Sequence, residues 1–150
     1  SDENTIVAAY NLWKEVAMND CIAFLADEMR KKTVEFCPVK QTEIMMASML
    51  KRISIRQVQY IIYKSIDEIS GEDTKSKPKR GVFSDIVFSR MECWDSSMTY
   101  IESELPEYRD RKKLLNNNLH GVLFSKVLGL GDKGLRCVVN IEIVRESVRK

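Results

Sequence analysis

The chain has 150 residues, with 24 Lys and Arg against 22 Asp and Glu, a net charge of +2, and only six Gly and three Pro. A chain of this length can bury roughly 68–70% of the surface that its unfolded form exposes, so one core can hold it without a metal or disulfide. The 44% share of hydrophobic residues excludes intrinsic disorder, the balanced charge excludes a histone-like tail, and the scarcity of Gly and Pro favours helices over a β-sandwich.

The first predicted element is an amphipathic helix over Thr5 to Lys32. Its apolar residues recur at spacings of three and four, which is the period of a helix with one buried face. Asn4 or Asp2 can cap its start, because their side-chain oxygens accept from free amides of the first turn. The pair Asn19-Asp20 favours caps over helix interiors, and it predicts that this helix divides in two.

Two further helices are predicted before residue 71. The first covers Thr42 to Arg52, and the next covers Ile55 to Ser70, with Ser54-Ile55-Arg56-Gln57 at its start. This tetrapeptide fits the capping box, in which the Ser hydroxyl accepts from the amide three residues on and the Gln side chain reaches back. Gly71 then supplies a left-handed stop.

A basic loop is predicted over 71–81. The stretch from Glu72 to Arg80 has no apolar residue, so it is expected to be solvated. Its composition is that of a short nuclear localisation signal or a phosphate-contacting loop, although a merely solvated loop explains it as well. The cations of this cluster are Lys75, Lys77, Lys79 and Arg80.

Helical spacing continues beyond the loop. Apolar residues from Phe83 to Leu105 predict a helix of about six turns, which Pro106 stops. Another helix is predicted from Pro106 to about Leu128, because Pro is favoured at a first helical position. Gly129 and Gly131 end it.

The C-terminal segment, Leu135 to Lys150, carries two patterns. Cys137, Ile141 and Val144 have helical spacing, whereas Val139, Ile141 and Ile143 alternate as a strand does. A helix is favoured, because the alternative, a two-stranded β-ribbon, is marginal on its own. The whole chain, 1–150, is therefore predicted to be a single all-α domain, a compact bundle of about six helices around the N-terminal and Phe83–Leu105 helices.

No catalytic, metal or cofactor site is predicted. The single histidine, His120, has no nearby residues that resemble a catalytic triad, and no carboxylate pair sits in an apolar setting. The four cysteines contain no C-x-x-C pair, so reduced, buried thiols are expected instead of a zinc site. The glycines from Gly129 to Gly134 match G-x-G-x-x-G, but without a preceding strand they predict a turn. The chain is therefore expected not to be an enzyme.

Targeting and membrane segments are not predicted either. The longest apolar runs are a few residues, far below the about 18 that span a bilayer. The start Ser1-Asp2-Glu3-Asn4 lacks Met and a basic region, so it predicts an excised domain or a processed product rather than a signal peptide.

The leading functional hypothesis is a protein-interaction domain that docks a partner or self-associates through an apolar, Met-containing surface. Seven Met are more than a tightly specified core prefers, and Met-rich surfaces serve promiscuous binders. With the basic loop, this predicts an intracellular protein, nuclear rather than cytoplasmic. No stretch resembles a known family. The apolar stripes considered are Trp13, Phe24, Met45, Met46, Met49, Met91, Trp94 and Met98.

The alternative hypothesis is a nucleic-acid-binding domain. Helices within 42–70 have the layout of a helix-turn-helix pair, and Arg and Gln early in a second helix are residue types that read base edges. This reading requires Arg56, Gln57, Gln59, Tyr60 and Lys64 to be exposed. The basic cluster at 75–80 would contact phosphates, although a net charge of +2 is low for a DNA reader. The candidate binding residues are Arg56, Gln59, Lys64, Lys75, Lys77, Lys79 and Arg80.

Overall fold

A computed structural model describes residues 2–32, 34, 36, 39–71, 80–96, 126, 128–130 and 133–149. Across these residues the secondary structure is helical, with no strand, which confirms the all-α prediction for this part of the chain. The β-ribbon alternative for the C-terminus is wrong, because a helix occupies most of that segment. The described helices are α1 (Glu3–Lys31), α2 (Lys40–Leu50), α3 (Ile55–Gly71), α4 (Arg80–Ser96), α5 (Lys133–Arg136) and α6 (Ile141–Arg149).

Helix α1 runs unbroken for 29 residues. Asp2 caps it, because Asp2 Oδ1 accepts a hydrogen bond of 2.8 Å from the amide of Thr5. The predicted division at Asn19-Asp20 is wrong. Asp20 is buried, and its neighbours Ala17 and Cys21 belong to the core, so packing on both sides outweighs the weak helix propensity of the pair.

Helix α2 begins two residues earlier than predicted, after Val39. The amide of Val39 donates to Thr42 Oγ1 at 3.3 Å, which satisfies a backbone group at this helix start. The predicted capping box of α3 is confirmed. Gln57 N donates to Ser54 Oγ at 3.2 Å, and Ser54 N donates to Gln57 Oε1 at 2.8 Å.

Replacing Ser54 with alanine is expected to lower the free energy of unfolding by about 1 kcal/mol, since the buried amide of Gln57 loses its acceptor. Urea denaturation of the two chains measures this difference. Ser48→Ala is the matched control, because Ser48 is exposed on α2. Equal stability of the two variants would contradict the role of the cap.

Helix α3 lies at the centre of the described bundle. It packs against α1, α2, α4 and α5, and every residue from Ile53 to Ile62 is buried. The prediction gave the central position to the N-terminal helix and the Phe83–Leu105 helix, and α1 does pack against α2, α3 and α6. A central position is wrong for the described part of the Phe83–Leu105 helix, since α4 packs mainly on α3. The buried apolar side chains of α3 are Ile55, Val58, Tyr60, Ile61, Ile62, Ile66 and Ile69.

Ion pairs join α4 to the rest of the fold. Arg90 Nη1 lies 2.8 Å from Glu68 Oε2 on α3, and Lys64 Nζ lies 3.9 Å from the other oxygen of that carboxylate. Arg52, which follows α2, holds Asp95 with two hydrogen bonds of 2.6 and 3.2 Å. Solvent screening makes each pair weak, so we infer that these pairs orient α4 more than they stabilise it.

The predicted basic loop is shorter than 71–81. Gly71 is the last residue of α3, and Arg80 and Gly81 already belong to α4. Residues 72–79 lie outside the described residues. The same is true of the predicted continuation of the fourth helix beyond Ser96 and of nearly all of the predicted Pro106–Leu128 helix.

The C-terminal segment forms two helices with a turn between them. Asn140 Oδ1 accepts a 3.0 Å hydrogen bond from Ile143 N, which caps α6 after the break. The helix α6 packs on α1, and Arg145 pairs with both Glu142 and Glu3. The predicted helix over 135–150 is thus confirmed over 141–149, but it is interrupted at residues 137–140.

Gly129 provides the turn before these C-terminal helices. Its φ of +74° lies in the left-handed region that favours glycine, as the sequence predicted for a helix stop. Ser147 on α6 donates from Oγ to the carbonyl of Leu128, and an added Cβ at Gly129 would lie 3.2 Å from that hydroxyl oxygen. This turn therefore brings α6 close to the preceding chain.

Candidate functional site

An apolar pocket of about 260 Å³ opens between α1, α2 and the segment Gly134–Val139. We call it the groove. None of the described helices is long and apolar enough to cross a bilayer. The lining residues are Tyr10, Trp13, Lys14, Glu15, Ala17, Met18, Ala47, Leu50, Lys51, Ile53, Ser54, Ile55, Gly134, Cys137 and Val139.

One face of α1 forms the first wall. Its residues are separated by three and four positions, the spacing that places side chains above one another on a helix. Trp13 and Ala17 are both 3% exposed and form the deep part of this wall. Tyr10 and Met18 are half-buried and lie nearer the opening. The wall is therefore apolar from its base to its edge.

The second wall is the end of α2, and the floor is the turn into α3. Ala47 is exposed and Leu50 half-buried, so α2 leaves space between its small side chain and α1. The floor residues Ile53 and Ile55 are buried. The capping box that begins α3 fixes this floor, because Ser54 lines the groove and is also the cap.

The third wall comes from the far end of the chain. Gly134 and Val139 are buried there, whereas Cys137 is exposed. This wall follows from the turn between α5 and α6, so the groove exists only when the two ends of the chain have folded together.

Charged side chains stand at the rim. Lys14 Nζ lies 4.7 Å from the centroid of the Tyr10 ring, a cation–π contact that holds the ammonium beside the opening. Lys51 lies on the α2 side, and Glu15 also lines the pocket. In the part of the chain that the structure describes, none of these three groups has an ion-pair partner.

The cysteines differ from the prediction. Cys21 is buried in the core as expected, and burial raises the pKa of its thiol, so it is protected from alkylation. Cys93 and Cys137 are exposed thiols that form no disulfide among the described residues, so the prediction of buried thiols is wrong for them. Cys93 occupies a solvent-facing position within α4, and Cys137 directly follows the four-residue helix α5. Cys37 lies outside the described residues.

The residues predicted to read nucleic-acid bases are not exposed. Arg56 is 4% exposed and Gln59 fully buried, and Gln57 and Tyr60 are also buried. The exposure prediction is wrong because α3 is covered on several sides, whereas a helix-turn-helix recognition helix needs an open face. Lys64 is half-buried, with Nζ 5.3 Å from the centroid of the Trp94 ring.

The basic cluster is only partly within the structure. Arg80 is the first residue of α4 and is therefore helical, contrary to the predicted loop. Lys75, Lys77 and Lys79 lie outside the described residues, as does His120. Nucleic-acid binding through 42–70 and this cluster stays a prediction.

Three methionines of the predicted Met-containing surface belong to the core instead. Met46, Met49 and Met91 are buried, because their flexible side chains fill gaps between helices, whereas Met45 is half-buried. Met98 lies outside the described residues. Met18 is the methionine that lines the groove. The groove itself was not predicted from the sequence, although the spacing of the apolar face of α1 is visible there.

Among the described residues, no group of three His, Cys, Asp or Glu side chains could hold a metal ion. The groove has the chemistry of a surface that buries an apolar group and meets charge at its edge. No protein-family model, curated protein or solved structure matches this chain.

Proposed function

We propose that this chain is a non-enzymatic helical protein-interaction domain, and that it docks a segment of a partner protein in the groove. The observation that carries the proposal is an open apolar groove of about 260 Å³ whose floor is made of core residues. Filling such a space with an apolar side chain removes that side chain from water, which is worth about 1.5–3 kcal/mol. The groove therefore offers a hot spot for association.

The size of the groove favours side chains over a larger ligand. Pockets for drug-sized molecules span about 300–1,000 Å³, and this one lies below that range. One or two side chains of a partner segment suit the space better. Their backbone would run over the rim, as when an amphipathic segment lies in a groove between helices.

The apolar surface continues along α2. Ile44 is 54% exposed and stands three residues before Ala47, so the two share a face of the helix. A partner anchored in the groove can therefore extend its contact along this face. An interface of this kind has a buried centre and a more exposed rim, as docking sites generally do.

Ala47→Trp is expected to weaken groove-dependent binding at least tenfold. Ala47 is an exposed wall residue, so the larger ring enters the groove without replacing a core side chain. The measurement is the affinity of segments selected from a random peptide display library on the unmodified chain. Ser48→Trp is the matched control, since Ser48 is also exposed on α2 but does not line the groove.

Cys137 gives an independent readout of occupancy. A bound segment is expected to slow alkylation of this exposed wall thiol and to leave Cys93 on α4 unaffected. Peptide mapping by mass spectrometry measures both rates in one sample. Selected segments that bind Ala47→Trp as tightly as the unmodified chain, or that leave the alkylation of Cys137 unchanged, would contradict the proposal.

The nuclear location is part of the proposal and rests on sequence. Lys77, Lys79 and Arg80 belong to a run of cations with the composition of an import signal. Neutralising all three is expected to abolish nuclear accumulation of a large fluorescent fusion of the chain. A fusion that stays outside the nucleus before the change would contradict this part.

A further inference from the structure

We infer that the partner segment is acidic, and that carboxylates flank the apolar side chain which enters the groove. This inference rests on the proposed docking function. It follows from the charged residues around the opening, which favour a partner of negative charge. The apolar floor supplies the affinity for the anchor, and the rim selects its neighbours.

The two cations stand on different walls. Lys14 belongs to α1, and Lys51 follows the last residue of α2, so a segment between them passes both ammonium groups. Two of the three walls therefore carry positive charge at the groove.

These cations are available to a partner. The structure pairs Arg52 with Asp95 and Arg145 with Glu3, but the described residues contain no carboxylate partner for Lys14 or Lys51. The Tyr10 ring holds the Lys14 ammonium near the opening, which reduces the freedom that binding would remove.

Glu15 is the opposing charge. It lines the groove and has no cationic partner among the described residues. Two cations against one carboxylate leave the lining of the groove with a net positive charge. Glu15 thus reduces the preference for an acidic segment without reversing it.

The test is a selection at low salt from a random peptide display library, scored by the charge of the peptides that lose binding on Ala47→Trp. We expect these peptides to carry an excess of Asp and Glu beside a large apolar residue. A neutral or basic set would overturn the acidic inference and leave the docking proposal standing. A selection without any groove-dependent peptide, or a groove-dependent dimer in light scattering, would overturn both.

Charge variants separate the contributions of the rim. The double variant with Lys14→Gln and Lys51→Gln is expected to weaken the binding of an acidic peptide from that selection about fivefold at low salt, and less at high salt. Glu15→Gln is expected to strengthen the binding of the same peptide about twofold. Lys40→Gln with Lys126→Gln is the control, because both lysines are exposed and neither lines the groove. Equal weakening by the control pair would overturn the inference.

A charge swap gives the sharpest outcome. Repeating the selection on Lys14→Glu with Lys51→Glu is expected to enrich basic peptides with the same apolar anchor. The floor is unchanged in this variant, so its fold and anchor preference serve as internal checks. An unchanged acidic set would overturn the role of the two lysines.

Discussion

Truncating Ile61 to alanine is expected to lower the free energy of unfolding by about 2–5 kcal/mol. Ile61 is fully buried in α3, the helix that packs against four others. The loss has two parts, the transfer free energy of the removed methyl and methylene groups and the cavity that remains. Because several helices meet at α3, none of them can move in to close this cavity without leaving another contact.

Ile44→Ala is the matched control for this substitution. It removes the same atoms from a side chain that is 54% exposed on α2, so its effect on stability is expected to be within about 0.5 kcal/mol. Urea denaturation of both variants, followed by far-UV circular dichroism, measures the two changes. A difference of less than 1 kcal/mol between them, about a fivefold change in the folded-to-unfolded ratio, would contradict the central position of α3.

Gln59→Met is expected to raise the free energy of unfolding by about 1–3 kcal/mol. The Gln59 side chain is fully buried, and neither Oε1 nor Nε2 has a hydrogen-bond partner in the described part of the chain. Folding therefore removes the amide from water without returning its hydrogen bonds. Methionine has a similar length and no strong polar group, so it removes this cost and keeps the packing.

Gln57→Met tests the same chemical change two residues earlier. Gln57 is also buried, but its Oε1 accepts from Ser54 N in the capping box, so this variant is expected to be destabilised by about 1 kcal/mol. Thermal and urea unfolding of both variants measures whether each substitution raises or lowers the free energy of unfolding. Destabilisation by Gln59→Met would show that its amide is hydrogen-bonded in solution.

Local signals predicted the starts of α1 and α3. The side chain of Asp2 accepts from the first turn of α1, and Ser54 with Gln57 forms the expected capping box. These contacts join residues three apart, so the order of residues is enough to predict them. The same reasoning located the turn at Gly129, where only the local backbone conformation matters.

Contacts between distant segments account for the failures. Asp20 does not end α1, because neighbouring helices bury the middle of α1 and this burial stabilises an unbroken helix. Arg56 and Gln59 lie on the polar face of α3 by periodicity, yet other helices cover that face. Hydrophobic spacing shows which face of a helix is apolar, but it does not show how many neighbours surround the helix.

The groove could not be predicted for the same reason. The spacing of Tyr10, Trp13 and Ala17 indicated an apolar face, and such a face is buried in most helical domains. Whether it stays partly open depends on how α2 and the Gly134–Val139 segment are placed against it. The lining lysines are likewise ordinary surface residues until the fold brings them to one opening.

A partner bound in the groove would contact both ends of the chain and hold them together. The first wall of the groove begins at Tyr10, and its third wall ends at Val139. Beyond that wall, the ion pair between Arg145 and Glu3 joins α6 to α1. A ligand at one hundred times its Kd adds about 2.7 kcal/mol to the stability of the state that binds it. Amide hydrogen exchange in α6 should therefore slow on binding, even though α6 contributes no residue to the groove.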